Sequence, residues 1–298
     1  MRPFAEKSIE DKIKDILVKE FSLHEVHSYI WEYSDEYKKL GIVTEPNVKL
    51  LNATNPNIET IRKSMIPTQL CQIKTNSSYA PSFGIFEIGR TVDGIDENNL
   101  CREHKKLAVT LFSKTETTET LYFKLIRMIS VAVDDIKHKS LSFTAKETGL
   151  NYIHPKNFNA IVCDGKEIGE IGVVHPEVLK NIDKKANVVF LEVDMKDLVE
   201  TENAGIKYAE ASKYPSIEVD VTFVADTFRP IKEAIALINS ELVKKTSVVD
   251  TYNDANGKSI TIRIVFSHPE RTLVKDEVMA IVNELIAKLE SKGIKLKA

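Results

Sequence analysis

Between Gly257 and Gly293 the chain spells out a strand, a turn and a helix in succession, and the rest of the chain can be organised around that stretch. In Ser259-Ile260-Thr261-Ile262-Arg263-Ile264-Val265-Phe266, the side chains of Ile260, Ile262, Ile264 and Phe266 share one face. Thr261 and Arg263 take the other, as a half-buried strand requires. His268-Pro269-Glu270-Arg271-Thr272-Leu273 ends the strand, because proline has no N–H for the ladder and restricts the residue before it. Val278, Ile281, Val282, Leu285 and Leu289 then recur at helical spacing. Asp276 and Glu277 near one end, with Lys288 and Lys292 near the other, suit the helix dipole, and Gly293 is a natural stop.

The residues upstream supply the rest of a small domain. Ser212-Lys213-Tyr214-Pro215 opens it, and Val219, Val221 and Phe223 face one way along a first strand. Periodicity predicts a helix over 230–244 (Ile231, Ala234, Ile235, Ile238, Leu242), then a strand over Val248–Tyr252 and a last one at Ile294-Lys295-Leu296. The order is β-α-β-β-α-β, the ferredoxin-like pattern.

Tyr252, Gly257-Lys258-Ser259, the His268–Leu273 block and Glu277-Val278 together resemble the ferredoxin-fold anticodon-binding domain. That domain closes the beta chain of bacterial phenylalanyl-tRNA synthetases. Val274 departs from the pattern, which has Ser or Thr there, so the usual helix N-cap is missing. The resemblance implies tRNA contact, with Arg271, Lys213, Lys258 and Tyr252 as candidate residues and Tyr214 and Phe228 as further aromatics. For Arg271 the alternatives are an RNA contact, a salt bridge to Glu270 or Glu277, or a bond to carbonyls at the strand end.

Ahead of this domain, Ser8 is a potential cap for a first helix with Ile9, Ile13, Ile16 and Leu17 as its buried stripe. A strand is predicted over Glu25–Trp31, a polar helix around Ser34–Leu40 and an extended segment at Val48–Leu51. Ser64 is placed to cap a helix in which Pro67 falls in the first turn, where a missing N–H leaves no gap. Further strands are predicted at Ser82–Arg90, Lys106–Phe112 and Val188–Val193, and a helix over 117–135. A hairpin over 159–174 turns on Asp164-Gly165, a pair that tolerates positive φ.

The Arg62-x-Ser64-x-x-Pro67 helix start, followed by Phe86-Glu87-Ile88-Gly89-Arg90, is similar to the catalytic-like module of the same beta chain. That module derives from the class II synthetase fold, an antiparallel sheet with flanking helices. Where active class II enzymes place an arginine for the ATP phosphate, this chain has Asp93 nearby, and a carboxylate repels phosphate. The Gly-rich third motif has no counterpart among the 11 dispersed glycines. The implied module is therefore non-catalytic, with Arg62, Pro67, Glu87 and Arg90 in structural or inter-chain roles and Glu87 paired to an arginine.

The resulting expectation is an α+β chain in two parts, 1–206 and 207–298, the class II synthetase-like module and the ferredoxin-fold anticodon-binding domain. The resemblance implies two partners, the catalytic alpha chain and tRNA(Phe). The whole enzyme would use ATP and magnesium, with no cofactor bound by this chain itself. It covers only the end of the family's beta chain, so the chain is expected to be a C-terminal piece or a truncated paralogue. Two rival readings are a free-standing regulatory paralogue and an amino-acid-sensing ferredoxin-like module.

Charge alone does not point to RNA: the net charge is −3, and 207–298 carries 14 Lys+Arg against 13 Asp+Glu. No apolar run approaches the roughly 20 residues of a membrane helix. Three dispersed cysteines, Cys71, Cys101 and Cys163, suggest neither disulfides nor a zinc site and fit a reducing cytoplasm. The 7 histidines show no metal-ligand spacing, and three of them (His154, His175, His268) precede proline, which suggests turn packing.

Overall fold

The apolar run Leu107–Phe112 is buried on both sides, so its strand must lie between two layers of helix. Leu107, Val109 and Leu111 join one core and Ala108 and Phe112 another. The computed structural model describes residues 5–45, 47–205, 212–225, 229–236, 240–254 and 257–297. It divides into two compact units, Met1–Ile206 and Lys207–Ala298.

In the first unit, α1 (Ala5–Lys19) buries Ile13, Ile16 and Leu17. It is already helical at Ala5, so Ser8 lies inside the helix and does not cap it. β1 is only His24–Glu25, shorter than the predicted 25–31 strand. Its neighbour Val26 still donates to the Phe86 carbonyl, but the N–H of Ser28 turns to the Glu87 carboxylate, and the segment leaves the sheet there. α2 (Ser34–Leu40) ends on Gly41, whose φ of 74° is the left-handed conformation that favours glycine.

α3 (Ile66–Asn76), β2 (Ser82–Ile95), β3 (Cys101–Ser113) and α4 (Thr118–Lys137) follow. Next come β4 (Leu141–Ala145), β5 (Ile153–Cys163), β6 (Lys166–Val174), α5 (Pro176–Ile182), β7 (Asn187–Asp194) and α6 (Met195–Glu200). The sheet order is β1-β2-β3-β7-β6-β5-β4, antiparallel except for the short β1/β2 pair. Helices α1, α4 and α6 cover one face and α2, α3 and α5 the other. Asp164 and Gly165 both have positive φ, 50° and 79°, so the β5–β6 turn uses the conformation its Asp-Gly sequence favours.

The second unit contains β8 (Ile217–Val224), α7 (Arg229–Ala236), β9 (Val243–Asp254), β10 (Gly257–Phe266), α8 (Lys275–Glu290) and β11 (Lys295–Leu296). Its sheet order is β11-β8-β10-β9, all antiparallel. Both helices pack on the face carrying Ile260, Ile262, Ile264 and Phe266. The predicted helix over 230–244 is too long: Val243 and Lys244 belong to β9, where Val243 pairs with Phe266. Among the described residues no helix is long and apolar enough to cross a membrane.

Candidate nucleic-acid interface

Arg62 and Glu87 meet inside the first unit, 1% and 2% exposed, with Nη2 and Oε1 3.1 Å apart. Every other arm of the pair is also occupied. Arg62 Nη1 donates to Ser28 Oγ at 2.6 Å and Nε to the Arg90 carbonyl at 3.0 Å. Ser28 returns its hydroxyl to Glu87 Oε2 at 2.6 Å and its N–H to Oε1 at 3.2 Å. Gly89 makes room for the cluster: a Cβ there would sit 2.7 Å from Arg62 Nη2 and 2.8 Å from Glu87 Oε1. A buried guanidinium so enclosed is not available to a phosphate.

Arg90 is exposed, with Nη1 3.1 Å from Glu103 Oε2, and Asp93 lies 3.7 Å from Lys63 Nζ. Pro67 is buried in the first turn of α3, and Ser64 Oγ accepts from the Ile66 N–H at 3.1 Å. Burial pushes the Cys71 thiol up to about 12, which keeps it from acting as a thiolate. The three His-Pro sequences share one turn: Nδ1 of His154, His175 and His268 accepts from the N–H two residues on, at 3.2, 3.2 and 3.1 Å. Among the described residues no group of three or more His, Cys, Asp or Glu is placed to hold a metal ion.

In the second unit the helix-free face of the sheet carries two distinct surfaces. At one end Lys295, Val224, Ser259 and Tyr252 form a row across the four strands. Side chains in one row share a face, and Tyr252 is 60% exposed there. Lys297, two residues past Lys295, places Nζ 5.7 Å from the Tyr252 ring centroid. Further along the strands the same face turns acidic. Arg263 is bidentate to Asp220 at 2.8 Å on both oxygens and 3.1 Å from Glu218, so its charge is matched twice over.

The four sequence candidates fall at opposite ends of this unit. Lys258 opens β10 beside Tyr252 but alternates onto the helix-covered side. Arg271 follows the other end of that strand, roughly 25 Å away by strand rise. Lys213 belongs with Arg271, since Ser212 Oγ donates to the His268 carbonyl at 2.8 Å. Arg271 Nη1 and Nη2 each donate to Glu277 at 2.7 Å, and Glu277 Oε1 also accepts from the Val274 N–H at 2.7 Å. Val274 has no side-chain oxygen, so the start of α8 is held by Glu277 reaching back and not by a cap residue. Phe228 lies outside the described residues.

The profile for the phenylalanyl-tRNA synthetase beta chain CLM domain matches residues 2–195, and that for the ferredoxin-fold anticodon-binding domain matches 212–297. The chain belongs to the phenylalanyl-tRNA synthetase beta chain family. It is 26% identical to the phenylalanine–tRNA ligase beta subunit of Carboxydothermus hydrogenoformans, over 98% of this chain and 39% of the relative. The corresponding subunit of Thermotoga maritima is 24% identical over 97% of this chain and 38% of its own length. That of Francisella tularensis is 26% identical over 89% and 34%. The chain thus spans well under half the length of the curated relatives it matches.

Within that family frame, sequence reasoning missed Lys295 and Lys297, although their alternation around Leu296 on a terminal strand marks them as sharing a face. It also left open how α8 starts without a cap. The Arg271 guanidinium and the Val274 N–H hold the Glu277 carboxyl down at about 2, against an ordinary 4.5. A carboxylate depressed in the folded state stabilises above its unfolded value, and that stabilisation is lost as pH falls through the folded one. Glu277→Gln is therefore expected to lower the melting temperature at pH 7. The difference from the unmodified chain should shrink between pH 4.5 and about 2. A melting-temperature gap that stays constant on acidification would remove this account of the helix start.

Proposed function

We propose that this chain serves as the catalytic-like and anticodon-binding portion of a cytoplasmic phenylalanine–tRNA ligase beta subunit. The second unit binds tRNA(Phe) and the first braces a catalytic alpha chain. The observation that carries the reading is the order of the two matched family domains, 2–195 and then 212–297, over nearly the whole chain. The closed Arg62–Glu87 cluster and the Asp93 side chain support a bracing role without adenylation by this chain.

Within the second unit we assign RNA contact to the Tyr252–Lys295–Lys297 end of the open face. An exposed ring with the Lys297 ammonium over it, and Lys295 further along the same row of the sheet, suits a splayed base and its phosphate. The Arg263 region, crowded with carboxylates, does not. Arg271 and Lys213 form the competing surface at the far end.

Fluorescence anisotropy of labelled tRNA(Phe) with this chain tests RNA binding, and size-exclusion chromatography with the matching alpha chain tests bracing. The expected results are saturable binding that weakens with salt and co-elution as a larger assembly. With a net charge of −3 the whole chain offers no general attraction for RNA, so binding depends on a local patch and its salt slope should be shallow. Absence of both results with folded proteins would defeat the proposal.

A further inference from the structure

Glu32 has a different standing from the other carboxyl groups around it. It is 6% exposed, and its Oε2 accepts from Thr44 Oγ1 at 2.9 Å. Among the described residues nothing else donates to its carboxylate, and no lysine, arginine or histidine lies within 4.0 Å of it. Burial accordingly holds its carboxyl above the usual carboxylate range.

This carboxylate lines a cavity of about 160 Å³ whose other acids are all matched. Glu45 pairs with Lys63 at 3.0 Å and Glu170 with Lys146 at 2.5 Å. Glu192 accepts from Lys106 at 2.9 Å, the Met65 N–H at 2.7 Å and the Ser64 hydroxyl at 3.0 Å. Among the described residues Glu32 is therefore the one acid on the cavity wall with no cation within 4.0 Å. Ile66, Pro67, Leu150, Ile153 and Phe190 give it apolar walls.

We propose that this cavity binds a small organic ammonium ion, with its charged nitrogen on Glu32 and an apolar body against Ile66, Pro67 and Phe190. Size agrees, since a cavity of about 150 Å³ accepts a benzene ring. Charge selects the class: Lys63 and Lys106 on the walls are already engaged by Glu45 and Glu192, so an anion finds no free cation there, whereas an ammonium supplies the one that Glu32 lacks within 4.0 Å. The proposal does not depend on tRNA binding or on an alpha chain.

Titration calorimetry of the full chain with benzylamine, benzyl alcohol and phenylalanine tests it. Benzylamine is expected to bind at one site and raise the melting temperature. Benzyl alcohol, the neutral counterpart, should bind at least about tenfold more weakly, a difference of about 1.4 kcal/mol. Phenylalanine should also bind more weakly than benzylamine, because its carboxylate enters an acidic cavity.

Glu32→Gln keeps an acceptor for Thr44 and should reduce benzylamine affinity at least about tenfold while the free protein melts no lower. Equal binding of alcohol and amine, tighter binding of phenylalanine, unchanged amine affinity in Glu32→Gln, or no heat with benzylamine would each overturn the proposal. The comparison of ligands on the unmodified chain stands even if the variant fails to fold.

Discussion

Arg62→Ala is expected to destabilise the first unit by about 3–5 kcal/mol, because removing one partner of a buried pair leaves the other charge uncompensated. The geometry argues for the upper part of that range. Glu87 would keep only the Ser28 hydroxyl and N–H, and the Arg90 carbonyl would lose its donor. The loss is large against a typical domain stability of about 5–15 kcal/mol, so partial unfolding at 37 °C is a realistic outcome.

Trp31 is the only tryptophan in the chain and bridges to Ile61, next to Arg62, so its fluorescence reports this unit separately from the second. Urea titration followed at Trp31 should show an earlier midpoint with the slope retained. The double variant Arg62→Met with Glu87→Leu should recover most of the loss, because a buried ion pair exchanged for apolar groups is often neutral. A loss below about 1 kcal/mol in Arg62→Ala would mean that water reaches the cluster and that the arginine is available for other contacts.

The same cluster shows why the sequence could be read only in part. An arginine and a glutamate in a resemblance-bearing motif announce a pair, but nothing in the spacing of Arg62 and Glu87 calls for Ser28. Its hydroxyl and N–H complete the network across 59 residues of sequence. That same recruitment cuts β1 to two residues, although the run to Trp31 has strand-like composition. Tertiary hydrogen bonding overrode a local pattern.

The far end of the helix expected over 230–244 gave way in the same manner, while its first half forms α7. Leu242 continues the helical stripe, but its neighbour Val243 is a good strand residue, and pairing with Phe266 decided for β9. Where one face alone sets the pattern, as in β10 or α8, the sequence was sufficient. The short β4 at a sheet edge and α6, capped by Asp194 through the N–H groups of Lys196 and Asp197, went unread. The latter did carry a legible signal, an Asp three residues before another Asp in a helix's first turn.

For RNA contact, each sequence candidate was chosen by type and position, and only strand register separates them. Tyr252→Ala is expected to weaken tRNA(Phe) binding by about 1–3 kcal/mol, the cost of one lost stacking platform, with little effect on melting because the ring is exposed. That corresponds to roughly a 5- to 150-fold rise in the dissociation constant.

Lys297→Gln should act differently, by lowering the salt slope by about 0.7–0.9 if its ammonium neutralises one phosphate. Arg271→Ala is the decisive comparison, since both of its donor arms are held by Glu277 at 2.7 Å and it lies at the far end of β10. It should reduce affinity less than Tyr252→Ala while lowering the melting temperature through α8. The reverse ranking would move the interface to the Lys213–Arg271 end, because the roughly 25 Å of strand between them prevents one base from using both.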